Sequence, residues 1–318
     1  MASVNAPSSV HNGGAPEDLE FHDDVFRIKT NGYTILRGVW SVAQCAAARD
    51  RLDQLRDDHL ASQGKPVGSQ IGFSTGHLYN KGQVFEGVYQ AARVLRLVRH
   101  FLGTDATIMS LGDMGITGTI MAPQSPRPRH WGDESGLHND GSVTGAYQGV
   151  GSPADERQRI TSHVLYMQAI WCLSEFSKEH GGTVYVPGSH LVSAMPVPPA
   201  PVPGQTNVVG QPGDVFLYNT ALWHASGINT STQPRYAILS GWTRPWLARL
   251  NKPPPKPAVF ARALAKDSNA DAIFGKLMPG PGSTEDSIAE AAAAHLLLQV
   301  NSDVAKAKAL VDLVFSKL

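Results

Sequence analysis

His138-Asn139-Asp140 and, far downstream, His224 offer two imidazoles and one carboxylate, a mixed nitrogen and oxygen donor set that suits a non-haem Fe(II). Three protein ligands leave three coordination positions open, enough for a chelating cosubstrate and dioxygen on one ion. The two-residue step from His138 to Asp140 puts both side chains on one side of an extended segment. Arg235, eleven residues after His224, adds a guanidinium fork suited to bidentate grip on a buried carboxylate. His22-Asp23-Asp24 repeats the His-x-Asp form, but no second His follows it in a matching frame, so the form alone does not make a site.

Positioning these groups calls for strands. Gly213-Asp214 opens an apolar run, Val215-Phe216-Leu217-Tyr218, that leads into His224, and Arg235 begins another that ends at Trp242. Adjacent antiparallel strands joined by the loop 229–234 would bring His224 and Arg235 near each other. Further strand-like runs fall at 115–121, 163–172, 182–186 and 208–209, a spacing that points to a sandwich or barrel. Before them, Ser41 is placed to cap a helix over 42–60, and a second helix is expected over 85–102, ending near Gly103. After Pro253-Pro254-Pro255, Ala-rich helical patterns occupy 258–266, 284–300 and 302–316, with Ser283 and Asp286 as a capping pair. A lid, a packing layer and a dimer face all remain open for these helices.

With these residues in place the chain resembles the phytanoyl-CoA dioxygenase family of Fe(II)/2-oxoglutarate oxygenases, closest in pattern to its fungal natural-product branch. The resemblance rests on His138-x-Asp140, Pro187-Gly188-Ser189-His190, Gly213-Asp214, His224, Arg235 and the opening Asn31-Gly32-Tyr33-Thr34-Ile35-Leu36-Arg37-Gly38. It implies a mainly β, double-stranded β-helix (jelly-roll) core with packed helices. It also implies His138, Asp140 and His224 as ligands of Fe(II), and Arg235 as the holder of the far carboxylate of 2-oxoglutarate. Thr183 and Ser226 resemble further cosubstrate contacts. Relatives often carry a glutamine just before the first iron-binding His; here Ser135-Gly136-Leu137 precede it, and Gln168 is the candidate to supply that contact from a neighbouring strand. Relatives also often have Asn where this chain has Gly181. The implied chemistry is decarboxylation of 2-oxoglutarate to succinate and carbon dioxide, coupled to oxidation of a substrate C–H bond. Halogenating members have a small residue at the position of Asp140, so hydroxylation is the expected outcome, with desaturation or ring formation beside it.

Composition bounds the partners. The chain has 318 residues, 42% of them apolar, and 27 Lys and Arg balance 27 Asp and Glu. No overall basic field favours nucleic acid, and no apolar stretch is long enough to span a bilayer. Cys45 and Cys172 are too few for a disulfide framework and fall in helix and strand patterns, as reduced core residues would. The expected organisation is a disordered start over 1–17, an oxygenase domain over 18–250, and a Pro-rich linker with helical extension over 251–318. The final Ser316-Lys317-Leu318 reads as a peroxisomal address in a eukaryotic source, and otherwise a cytoplasmic location is expected.

The substrate is expected to be a small, largely apolar molecule oxidised with O2. Phe73, Tyr79, Asn80, Met114 and Trp131 are the candidate contacts. Arg127-Pro128-Arg129-His130 is a small basic loop that would suit a coenzyme A phosphate, so a peroxisomal fatty acyl-CoA hydroxylase stands as an alternative to natural-product oxidation. A non-catalytic jelly-roll binding protein is the alternative of another class, and a homodimer is compatible with the C-terminal helices.

Overall fold

Runs of β-branched and aromatic residues pair into two antiparallel sheets in a computed structural model, which describes residues 16–109, 116–124, 136–140, 164–192, 202–244, 255–267 and 270–274. The larger sheet contains β1 (Tyr33–Leu36), β2 (Phe73–Thr75), β3 (Thr107–Met109), β4 (Thr117–Met121), β5 (Tyr166–Cys172), β8 (Val215–Asn219) and β10 (Arg235–Thr243). Its order is β1-β8-β5-β10-β4-β2, with β3 pairing the far end of β10. The smaller sheet is β7 (Thr206–Asn207), β6 (Val184–Tyr185) and β9 (His224–Ala225), in that order. The result is a mainly β jelly-roll with helices packed on one side.

Register decides which side chains face which layer. Central strands covered on both faces read as continuous apolar runs, and every residue of β5 is buried. Trp171, Leu217, Ile238 and Trp242 face outward and share a core with helix residues. Ile170, Cys172, Phe216, Tyr218 and Ala237 alternate with them and face the smaller sheet. The helix layer consists of α1 (Pro16–Asn31), α2 (Val42–Ser62), α3 (Gly87–Gln90) and α4 (Ala92–Leu102). Ser41 caps α2 as expected, in a reciprocal capping box with Gln44.

Three elements depart from the sequence expectations. α1 starts at Pro16, inside the segment read as disordered; its apolar positions Phe21, Val25 and Ile28 recur at helical spacing and pack inward. The helix expected over 85–102 breaks at Ala91, whose ψ of 106° turns the chain so that Tyr89 reaches Phe274 while α4 buries Val94, Leu97 and Val98. The strand expected at 208–209 pairs two residues earlier, because Val209 turns outward to 58% exposure.

Asp214 ties the end of β1 to the start of β8. Its carboxylate accepts from the Gly38 and Gln211 amides and pairs with Arg37 at 2.6 Å. Next to it, Gly213 holds φ +101°, and a Cβ there would meet the Trp40 carbonyl oxygen at 2.0 Å. Cys45 and Cys172 are free and buried, and burial pushes their thiols up to about 11 and about 12.

The linker prolines 253 and 254 lie outside the described residues, but the chain beyond them returns to the core. α5 (Pro257–Lys266) and α6 (Ala270–Ile273) bury Phe260, Ala263 and Ile273, with Phe274 just after, in the same cluster as the main sheet. Arg262 donates to Glu86 at 2.6 Å, and the Thr107 hydroxyl donates to the Ile273 carbonyl at 3.1 Å. Residues 255–267 and 270–274 are therefore a packing layer. The helical patterns at 284–300 and 302–316 and the final tripeptide lie outside the described residues.

Two measurements follow from this packing. Phe260→Ala is expected to destabilise the entire chain in one urea transition, by about 3–5 kcal/mol. Burial pushes the Asp214 carboxyl up, but the Gln211 and Gly38 amides and Arg37 outweigh it and hold the group below the usual carboxylate value. Its contribution is full above roughly pH 4 and fades as pH falls through the lower folded value. Asp214→Asn is thus expected to cost about 1–3 kcal/mol at pH 7, with the difference from wild type narrowing in denaturation series below about pH 4.

Candidate active site

His138 is brought to His224 by backbone pairing. The two residues form an isolated antiparallel bridge, each amide donating to the other's carbonyl at 2.9 and 2.8 Å, and their rings stand 4.4 Å apart. The Asp140 amide donates to the Thr220 carbonyl at 2.8 Å, which fixes the carboxylate on the same side. His224 Nε2 lies 3.3 Å from Asp140 Oδ2, and His138 Nε2 lies 3.7 Å from Asp140 Oδ1. All three residues offer a ligand atom within 4.8 Å of one another.

The tautomers follow from second partners. His138 Nδ1 is 2.9 Å from the Gly136 carbonyl, and His224 Nδ1 is 2.8 Å from the Leu222 carbonyl. A carbonyl can only accept, so each Nδ1 carries the proton and each Nε2 presents its lone pair to the shared point. Asp140 Oδ1 is buried without a hydrogen-bond partner, an arrangement that is costly unless something else satisfies it. Converging lone pairs, an orphaned anionic oxygen and fixed tautomers fit a divalent metal, and the donor set suits iron.

Arg235 opens β10 and is 7% exposed. Its Nη1 donates to the Gly181 carbonyl at 2.6 Å, its guanidinium lies 4.7 Å from the centre of the Phe176 ring, and its Nε has no hydrogen-bond partner among the described residues. No carboxylate pairs with it among the described residues. Burial pushes the guanidinium down to about 10, which leaves it charged at neutral pH. A buried cation of this kind is stable only with an anion in reach.

His224 and Arg235 do not sit on adjacent strands. β9 pairs with β6 in the smaller sheet, whereas β10 runs between β5 and β4 in the larger one. The loop 229–234 crosses between the sheets, so the two residues approach from facing walls.

The remaining sequence candidates separate. Gln168, 9% exposed on the inner face of β5, accepts from the Tyr218 hydroxyl at 3.1 Å, and the Tyr218 ring stands 4.9 Å from that of His224. Thr183 is buried two residues after the carbonyl that Arg235 holds, and Ser226 is exposed. Gly181, where relatives often have Asn, adopts a left-handed φ of +71°.

Phe73 pairs with Ile120 and packs toward His59 of α2, on the outer face; the pleat gives the inner position of β2 to Ser74. Tyr79 is buried in the core against Phe274, and the Asn80 side chain accepts from the Lys256 amide at 2.7 Å. The structure thus sets Phe73, Tyr79 and Asn80 to packing, not to a substrate wall. Met114, Trp131 and the loop 127–130 lie outside the described residues. Tyr218 and Phe176, which line the site, were missed; the alternation of Phe216 and Tyr218 against Val215 and Leu217 was the available signal for Tyr218, and nothing local marked Phe176.

The phytanoyl-CoA dioxygenase family pattern matches residues 28–237. The uncharacterized protein Rv1501 of Mycobacterium tuberculosis is 22% identical over 223 residues, covering 67% of this chain and 71% of the relative. Dioxygenase trt7 of Aspergillus terreus is 34% identical over 103 residues, 32% of each chain. Among solved structures, HygX from Streptomyces hygroscopicus with nickel and 2-oxoglutarate bound superposes with a TM-score of 0.53 at 20% identity, over 71% of this chain and 88% of that one. That likeness shows a shared fold.

Metal binding is expected to stabilise the chain. Anaerobic Fe(II) at about a hundredfold over its dissociation constant should add roughly 2.7 kcal/mol, read as a rise in the thermal midpoint. Asp140→Ala should abolish the rise.

Proposed function

The chain belongs to the phytanoyl-CoA dioxygenase family, and on that premise we propose that it hydroxylates a C–H bond of a small, largely apolar molecule, an intermediate of natural-product synthesis. As a 2-oxoglutarate-dependent non-haem iron dioxygenase it uses Fe(II) and 2-oxoglutarate. The observation that carries the assignment of residues is a buried, anion-seeking Arg235 in a site whose facing wall holds the His138, Asp140 and His224 cluster.

In this reading His138 Nε2, His224 Nε2 and an Asp140 oxygen hold the iron. Arg235 anchors the distal carboxylate of 2-oxoglutarate, with Thr183, Ser226 and Gln168 as further contacts. Bound there, Fe(II) would supply dioxygen activation, with 2-oxoglutarate as the two-electron reductant: one oxygen atom would end in succinate, formed with carbon dioxide, and the other in the oxidised C–H bond. The chain's own part is to orient the cosubstrate, keep water away and position one C–H bond. The Gly136 and Leu222 carbonyls hold the imidazoles in their metal-binding tautomer throughout. Phe176 shields one face of the guanidinium, so Arg235 keeps its charge directed at a single ligand. Asp140 retains a carboxylate where a halogenase has a small residue, which supports hydroxylation.

The inner face of β4 and β10 supports an apolar substrate. Register places Met121 beside Arg235, Thr119 beside Ala237 and Thr117 beside Leu239, with Met121, Thr119 and Leu239 half-buried. Arg235 is the charged residue in that set. The natural-product class rests on the resemblance to the family's fungal branch, and the partial match to trt7 of Aspergillus terreus is to a fungal dioxygenase. No helix among the described residues is long and apolar enough to cross a membrane. The acyl-CoA alternative and its peroxisomal address rest on residues 127–130 and 316–318, outside the described residues. Membership of the phytanoyl-CoA dioxygenase family argues against a non-catalytic binding module.

Anaerobic difference absorption with Fe(II) and 2-oxoglutarate tests the site. Wild type is expected to develop a weak charge-transfer band. His138→Ala should lose it, and Arg235→Ala should keep it while weakening 2-oxoglutarate affinity by about a hundredfold, as expected for removal of a charge-assisted pair. A wild-type protein without the band under saturating ligand would overturn the assignment.

A further inference from the structure

The loop that crosses from β9 to β10 is organised around one side chain outside the proposed iron and cosubstrate set. Asn229 is 0% exposed and uses every hydrogen-bonding position of its amide. Its Nδ2 donates to the Ala122 carbonyl at 3.2 Å and to the Gln233 carbonyl at 2.8 Å. Its Oδ1 accepts from the Ser231 amide at 3.1 Å and the Ser231 hydroxyl at 2.7 Å. The same Asn229 bridges His180 through its backbone, immediately before the Gly181 carbonyl that Arg235 holds. A Cβ on Gly181 would meet the Asn229 amide nitrogen at 2.9 Å, and one on Gly227 would meet the Gly182 carbonyl oxygen at 2.3 Å. The two backbones therefore touch, with no side chain between them.

Two ends of the guanidinium's support converge on this residue. Gln233, whose carbonyl Asn229 holds, stands two positions before Arg235 and so sets where β10 begins. His180, bridged to Asn229, sets the carbonyl against which the guanidinium rests. The loop is held from a third side by Gln124, which donates to the Thr230 carbonyl at 2.7 Å, and by the Thr230 amide, which donates to the Glu179 carbonyl at 2.9 Å. A surface turn needs none of this. A buried, fully satisfied amide is expected where a backbone must hold one geometry.

We propose that Asn229 is a positioning residue for the cosubstrate: it fixes the Arg235 guanidinium at the distance and angle that a carboxylate held on the facing wall requires. The inference rests on Arg235 being the 2-oxoglutarate clamp. Asn229 touches no bound molecule; it acts through the Gln233 and Gly181 peptides, and its loss would loosen the clamp without disturbing His138, Asp140 or His224.

A double-mutant cycle on the full chain decides it, read by anaerobic Fe(II) and 2-oxoglutarate titration of the charge-transfer band well below the thermal midpoint. Asn229→Leu keeps the bulk and removes the four hydrogen bonds. It is expected to weaken 2-oxoglutarate affinity by about tenfold with iron stoichiometry unchanged. In an Arg235→Ala background the same substitution should add less than about twofold, since nothing remains to position. A loss of the same factor in both backgrounds, or no loss in the first, would sink the inference and leave Asn229 a loop stabiliser. Ser231→Ala, which removes one of the four Asn229 bonds together with the Ser231 hydroxyl's own contacts to the Gln233 peptide, should give a smaller loss with the same dependence on Arg235, and it carries the cycle if the Asn229 variant fails to fold. Failure of the underlying reading looks different: Arg235→Ala alone would then leave 2-oxoglutarate affinity intact.

Discussion

Two buried groups of opposite charge each leave one atom without a hydrogen-bond partner among the described residues, Asp140 at Oδ1 and Arg235 at Nε. Either would be expensive to keep in a core, and removing a counter-charge from such a group costs several kcal/mol in typical proteins. In the proposed reading they stand on facing walls of a jelly-roll, where a metal ion and a dicarboxylate would answer both. Much of the surrounding architecture can be understood as holding that separation.

On one wall, the His138 and His224 backbones pair directly, and Asp140 is tied to Thr220, so the three metal-binding candidates are set by hydrogen bonds of the main chain. On the other wall, β10 lies between β5 and β4 in the middle of the larger sheet, where slippage would turn Arg235 toward the helices. The outer helix layer and residues 255–267 and 270–274 hold that sheet from behind, through Trp171, Trp242, Phe260 and Phe274. Packing far from the chemistry therefore fixes the register on which the chemistry depends.

The separation also accounts for the glycines. Gly181 and Gly227 lie where two backbones approach too closely for a side chain, beneath the guanidinium. Gly213 lies where the chain enters β8 against the Trp40 carbonyl. At both places a tight main-chain contact sets the direction of a strand that carries a site residue.

The donor types, their order and the arginine downstream were legible in the sequence, because coordination chemistry limits which side chains can serve and a short motif displays them. Ser41 as a cap and the apolar runs of β5, β8 and β10 were legible for the same local reason: hydrogen bonding within a turn and the period of a strand are properties of neighbouring residues. Other features were decided only by the tertiary structure. Phe73 and Tyr79 looked like substrate contacts, yet the register of β2 on β4 and the return of Phe274 to the core turned them to packing. His224 and Arg235 looked like neighbours on paired strands, yet they belong to different sheets, because pairing partners are chosen by long-range burial and leave no trace in local spacing. The sequence by itself determined which atoms could hold iron and a carboxylate; only the closing of two sheets over one another determined the distance between them.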